Sequence, residues 1–213
     1  MRKNLYIIGA RGFGRELSES LASWDGFGDK YVIKGFLDDK VDALDGFQAG
    51  YPPIVSSVED FKPDEHDVFI CGLGAVEWRR KYIDIMLAKN AVFDTFICPW
   101  LSYVKAKHIG RGVAIVGPTT ISPDVEIGDF VLLHPNVILG HDVKIGNHAV
   151  LENAAFCGGG AEVGESATIH TRATILPHKK IGKNAVVGAC SCVVRNVPAG
   201  ATVFGNPANR IDL

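Results

Sequence analysis

From Ile109 onward, aliphatic residues recur at every sixth position. The row runs through Ile109, Ile115, Ile121, Ile127, Leu133, Leu139, Ile145, Leu151, Cys157, Val163, Ile169, Ile175, Ile181, Val187 and Val193. Four places after each stands a second small or β-branched residue, from Val113 through Thr119, Val125, Val131, Val137 and Val143 to Ala149, Ala155, Ala161, Ala167 and Ala173. Lys179 breaks this second row. A slower beat lies on top, because Gly110, Gly128, Gly146, Gly164 and Gly182 are 18 residues apart. Three hexads therefore make one coil, and the pattern predicts a parallel β-helix with an aliphatic interior. A single coil cannot bury its apolar edge; stacked coils do. Corners are expected to take compact or φ-positive residues.

The first half follows a different pattern. Leu5–Ile8, Tyr31–Leu37, Val68–Cys71 and Val92–Ile97 read as buried strands, with helical periodicity through Leu17, Leu21 and Trp24 and over Glu77 to Ala88. Strands alternating with helices predict a small Rossmann-like parallel α/β sheet. The period changes near Pro99, so the expected domains are 1–98 and 99–213.

Composition narrows the function. The chain has 213 residues, 47% hydrophobic and 22% charged, with net charge −2. This gives no electrostatic case for nucleic acid or an anionic membrane as partner. No apolar run approaches membrane-spanning length, and the short run behind Arg2 and Lys3 does not make a signal-peptide core, so a cytoplasmic protein is expected. Five cysteines without C-x-x-C spacing argue against a disulfide framework or a zinc knuckle, and no metal is expected.

Gly9, Gly12 and Gly14 stand at a strand-to-helix turn where backbone N–H groups can approach a phosphate. The spacing is not the dinucleotide G-x-G-x-x-G, and a tight turn needs glycine in any case. Asp38, at the end of the second strand, can accept from a ribose or a base. In the repeat, His141 and Asp142 break the filler pattern at an expected corner. A neutral imidazole oriented by a carboxylate is the general-base arrangement for acyl transfer, and a purely structural His–Asp corner is the alternative.

Four segments carry a resemblance that spans nearly the whole chain: IGARGFGRE (Ile8 to Glu16), GFLDD (Gly35 to Asp39), GHDVKIG (Gly140 to Gly146) and VFGNPA (Val203 to Ala208). With them the chain resembles the hexapeptide-repeat sugar acyltransferases of the sialic-acid O-acetyltransferase and bacillosamine-pathway N-acetyltransferase group. The resemblance implies a left-handed coil, a homotrimer with active sites between subunits, and acetyl-CoA as co-substrate. It also implies a nucleotide-sugar pocket built from Gly9, Ala10, Arg11, Gly12, Phe13, Asp38, Asp39 and Gly72. His141 and Asp142 would be the catalytic pair, with His134 and Asn136 orienting the acceptor. Val150, Gly159, His170, Gly188, Ala189 and Pro207 would meet the cofactor. Val150 departs from the pattern, which often has His or another polar residue there. Gly158-Gly159-Gly160, one coil after His141, would supply backbone donors to an oxyanion, and Cys157 is disfavoured as a nucleophile.

The expected activity is acetyl transfer to the amine of a nucleotide-linked amino sugar. A sugar O-acetyltransferase and a non-catalytic β-helix trimer stand as alternatives. A nucleotidyltransferase is disfavoured, because no pyrophosphorylase-like signature precedes the repeat.

Overall fold

A computed structural model describes residues 2–47, 50–100, 103–104 and 106–211. Two compact units emerge, residues 1–94 and 95–213.

The first unit is a five-stranded, all-parallel sheet of β1 (Lys3–Ile8), β2 (Tyr31–Leu37), β3 (Ile54–Ser56), β4 (Asp67–Cys71) and β5 (Val92–Phe93), in the order β3-β2-β1-β4-β5. Helices α1 (Gly12–Ala22), α2 (Phe27–Lys30) and α3 (Val76–Ala88) complete it. The strand order reverses between β1 and β4, and ligands of open α/β sheets bind outside the strand ends at such a point. Leu5, Ile7, Ile8, Phe36, Leu37 and Phe69 are buried, as parallel strands covered on both faces require. The short edge strand β3 has no counterpart in the sequence reading, because Pro52-Pro53 and flanking polar residues hide it.

The run Val92–Ile97 is not one strand. Val92–Phe93 pairs with β4, whereas Phe96–Ile97 pairs with Ala114–Ile115 and opens the second unit. Asp94 anchors the end of the first unit, accepting from Lys3 Nζ (2.9 Å) and Tyr31 Oη (3.1 Å).

The second unit stacks short strands into three parallel sheets, which pair residues 18 apart except in the end coils. The first face carries Thr120–Ile121, Ile138–Leu139, Phe156–Cys157, Thr174–Ile175 and Cys192–Val193. The second carries His108–Ile109, Glu126–Ile127, Lys144–Ile145, Glu162–Val163 and Lys180–Ile181. The third runs from Phe96–Ile97 through Leu132–Leu133, Val150–Leu151 and Val186–Val187 to Thr202–Phe204. Asn209–Ile211 closes it antiparallel.

Both sequence rows point inward. Ile115 through Val193 in the first row are buried and Ile109 packs against them, while Val113 through Ala173 fill the second. Burying each such aliphatic contributes about 1.5–3 kcal/mol, which stacking multiplies along the coil.

The corner rule differs from expectation. Positive φ falls at Asp124, Phe130, Asn136, Asp142, His148, Ala154, Gly160, Ser166, Arg172, His178, Asn184 and Cys190, one per hexad. The 18-spaced glycines sit two residues before that row and serve close packing. A Cβ on Gly146 would lie 2.5 Å from Glu165 N, and one on Gly164 would lie 2.6 Å from Lys183 N. The coil demands left-handed backbone at every corner, and stacking pays the conformational cost even for Phe130.

Candidate active site

Two side chains and one backbone group meet at the corner between the first and second faces. His141 Nδ1 and Asp142 Oδ2 are 2.7 Å apart, with side chains 68% and 61% exposed. Adjacent residues on a straight strand would point apart. Here the left-handed Asp142 (φ 61°) turns the chain and swings its carboxylate onto the ring. Asp142 therefore has a structural place in the repeat as well as a partner, contrary to the expectation that both residues stood outside it. With Nδ1–H donating to the carboxylate, Nε2 is left as the acceptor.

The ring lies over the next coil. A Cβ on Gly159 would come within 2.5 Å of His141 Nε2, so residue 159 must be glycine for the imidazole to sit there. The N–H groups on either side are engaged, Gly158 with Ile175 O (2.9 Å) and Gly160 with His141 O (2.8 Å). At three other residues of the same hexad position a side chain caps the N–H: Asp129 caps Arg111, Asn147 caps Asp129 and Glu152 caps Thr171. The N–H of Gly159 has no such cap among the described residues. Cys157 lies inside the coil, where burial pushes its thiol up to about 12, so it is no nucleophile.

His134 and Asn136 lie on a different corner, between the third and first faces. His170 joins that corner and holds Glu152 at 3.0 Å, while Thr171 donates to Glu152 through N–H (3.0 Å) and hydroxyl (3.2 Å). Burial raises the Glu152 carboxyl, but the bonds from His170 and Thr171 outweigh it and leave the pKa below its ordinary value. Gly188 and Ala189 sit one coil further up. Gly188 is glycine because the Phe204 ring covers it, 2.3 Å from where a Cβ would be. The tail around Pro207 is fixed nearby by Gly205 N to Ser191 Oγ (3.0 Å) and Ala208 N to Cys192 O (2.8 Å). Val150 is buried, 1% exposed, on the third face. The six expected cofactor residues thus fall on two corners and one buried strand.

In the first unit, a cavity of about 400 Å³ opens at the carboxyl ends of β1 and β4. Gly9, Arg11, Phe13, Asp38, Asp39 and Gly72 line it and Ala10 and Gly12 do not, while Trp78 and Tyr82 of α3, without a signal in the sequence, line it too. The N-caps of α1 and α3, Arg11 and Ala75, make no side-chain capping bond and both border this cavity. The glycines divide by role. A Cβ on Gly14 would meet Gly9 O at 1.9 Å, and one on Gly72 would meet Gly14 Cα at 2.9 Å, so these two let α1 pack on the strands. Gly12 has nothing within 4 Å and stays open.

Asp38 and Asp39 turn opposite ways. Its buried carboxylate accepts from Ala10 N (2.8 Å) and Lys40 N (2.9 Å), so it braces the glycine-rich turn. Asp39 is the exposed carboxylate at the cavity, held by the Tyr82 hydroxyl. That bond, with burial and the field of Asp39, pushes the Tyr82 phenol up to about 12 and keeps it a donor. Arg79, 1% exposed, donates to Cys71 O and Leu73 O, both at 2.9 Å, and so pins the loop after β4. Its signal in the sequence was a charged residue on the inward stripe of α3.

Among the described residues, no cluster of three metal-ligating side chains exists, and no helix is long and apolar enough to cross a membrane.

A family model described as the PglD N-terminal domain matches residues 4–86, and one described as bacterial transferase hexapeptide (six repeats) matches residues 124–159. No curated protein matches the chain. Among solved structures, WeeI from Acinetobacter baumannii AYE is 26% identical over 97% of this chain and 99% of its own, with a TM-score of 0.76. PerB from Caulobacter crescentus, in complex with CoA and GDP-perosamine, is 21% identical over 98% of this chain and 97% of its own, with a TM-score of 0.66. The acetyltransferase domain of PglB from Neisseria gonorrhoeae FA1090, in complex with acetyl coenzyme A, is 20% identical over 99% of this chain and 100% of its own, with a TM-score of 0.64. The last two likenesses bear on the fold alone. The chain thus carries a PglD-type N-terminal domain over residues 4–86 and bacterial-transferase hexapeptide repeats over residues 124–159, in a fold shared with WeeI.

Proposed function

We propose that the protein transfers the acetyl group of acetyl-CoA to the amine of a nucleotide-linked amino sugar, with His141 as general base. The observation that carries this reading is the meeting of His141, Asp142 and the uncapped Gly159 N–H at one corner. PerB, similar in fold, holds CoA and GDP-perosamine, which supports the donor and the acceptor class.

The chemistry follows from what each group can do. The acceptor amine attacks the thioester carbonyl carbon while its proton passes to His141 Nε2. Asp142 fixes the tautomer and stabilises the imidazolium that forms. The carbonyl oxygen gains negative charge, and the Gly159 N–H is the backbone donor placed to meet it. Collapse re-forms the C=O bond, breaks C–S and releases CoA thiolate, which takes a proton from solvent. No covalent intermediate on the protein is needed.

The working form we propose is a homotrimer. Ile138 and Phe156 are stacked on the first face, 42% and 37% exposed, beside the His141 corner. The second face instead alternates Glu126, Lys144, Glu162 and Lys180, which suits solvent. An apolar face meeting a neighbouring copy would bring that copy's His170, Ala189 and Pro207 corner toward acetyl-CoA, with His134 and Asn136 toward the acceptor.

Acetyl transfer to a hydroxyl would use the same groups. The nucleotide-type cavity of the first unit favours a nucleotide-linked acceptor over a free sugar such as a sialic acid. A panel of UDP-, GDP- and dTDP-amino sugars beside free sialic acids, read by CoA thiol release, tests this. Turnover confined to free sugar hydroxyls would overturn it.

A further inference from the structure

Next to the first cavity lies a second of about 400 Å³, lined by Arg11, Gly12, Arg15, Lys40, Ala43 and Phe47. Arg11 belongs to both, so the two share a wall. Their chemistry is opposite. The first holds Asp38 and Asp39 with Arg11 as its one lining cation. The second holds three cationic side chains and no acidic one among its lining residues.

Of those cations, Arg15 is held in place and Lys40 is free to move. The Arg15 guanidinium stacks 3.5 Å above the centre of the Phe47 ring, which fixes its plane without using its N–H donors. The Lys40 backbone is anchored on Asp38, and its ammonium is only loosely paired with Asp42 at 3.7 Å, both side chains being more than half exposed. Between them, Gly12 leaves the backbone at the start of α1 open to close approach. No acidic residue occupies the first turn of that helix, so nothing there opposes an anion.

Resting on the nucleotide-linked acceptor proposed above, we infer that this second cavity is the diphosphate subsite, with Arg15 and Lys40 as its specificity-determining residues. A phosphate in the first cavity would face Asp39. A base or ribose there offers N–H and O–H donors to the same carboxylate, with Trp78, 48% exposed and stacked on Tyr82, as an apolar wall. The nucleoside belongs in the first cavity and the phosphates pass over Gly12 into the second, where a planar guanidinium and an ammonium meet them. The cavities thus read two properties of one ligand.

Calorimetric titration of the full-length protein with nucleoside, nucleoside monophosphate and nucleoside diphosphate tests this, using uridine and guanosine series at two salt concentrations. Wild type should bind the diphosphate about tenfold or more tighter than the nucleoside, with the gain shrinking at higher salt. In Arg15→Gln/Lys40→Gln that gain should vanish while nucleoside affinity stays within about twofold. Lys40→Gln alone, which leaves the Arg15–Phe47 stack intact, should lose part of it. Equal affinity for nucleoside and diphosphate in wild type, or an undiminished gain in the double variant, overturns the subsite. If no member of either series binds wild type, the nucleotide-linked acceptor itself falls, and the subsite with it.

Discussion

The imidazole of His141 rests on the bare Cα of Gly159, one coil above it, so closely that a Cβ at 159 would come within 2.5 Å of Nε2. Glycine here makes room for a side chain, since φ at 159 is not positive. Gly159→Ala is therefore expected to push the ring aside while leaving the coil folded. A displacement of about 1 Å at a catalytic group costs roughly a hundredfold in rate. The kcat should fall by that order with the melting temperature nearly unchanged. An active, stable Gly159→Ala enzyme would mean that the ring position seen here is not the working one.

Gly160→Ala should behave in the opposite way. Its φ is +67°, and its added methyl would meet His178 Nδ1. The left-handed conformation alone costs a non-glycine residue about 1–2 kcal/mol. Chemical denaturation should show that loss, separating the two neighbouring glycines by kind of effect.

Gly14→Ala tests the first unit. The new methyl would sit 1.9 Å from Gly9 O, where backbone must move. Overpacking of this kind costs about 1–3 kcal/mol. Unfolding should shift by that amount, and nucleotide affinity should drop with it, because the same turn forms the cavity floor. Retained affinity in the destabilised variant would separate turn from site.

Arg79→Met should destabilise by about 1–3 kcal/mol, since the buried Cys71 O and the part-buried Leu73 O would lose this donor. Urea unfolding measures this directly. A change below about 1 kcal/mol would mean that the loop finds other donors.

Glu152 predicts a pH effect with a definite sign. Its folded pKa lies below the ordinary 4.5 through His170 and Thr171. A depressed carboxyl pKa contributes stability that is complete above the unfolded value and is lost as pH falls through the folded one. The melting temperature of wild type should thus fall further than that of Glu152→Gln as pH drops below about 4.5. Parallel curves would place the acid sensitivity elsewhere.

The β-helix was legible because its interior residues answer to one geometric demand, repeated in register from Ile109 to Val193. The left-handed row was not legible, because stacking imposes that conformation on Phe130, Arg172 and Cys190, which carry no turn signature. The division of Val92–Ile97 between two sheets was hidden for a similar reason: both halves are apolar and extended, and only pairing tells them apart. At the candidate sites, His141 and Asp142 stood out by failing the repeat. Asp38 and Asp39 could not be ranked from sequence, since adjacent carboxylates differ here only in which one turns inward to Ala10. Tyr82 and Arg79 belong to a helix whose register against the sheet had first to be known.

In the proposed mechanism His141 takes the proton from the attacking acceptor. Single-turnover acetyl transfer from acetyl-CoA, followed by product formation for wild type and His141→Asn with the nucleotide amino sugar that wild type turns over best, tests it most directly. Loss of a general base costs about 10²–10⁴-fold. A fall of that size is expected in the chemical step, with acetyl-CoA affinity retained and the rate partly restored at alkaline pH, where more of the amine is neutral. A His141→Asn protein transferring acetyl at the wild-type rate would contradict it.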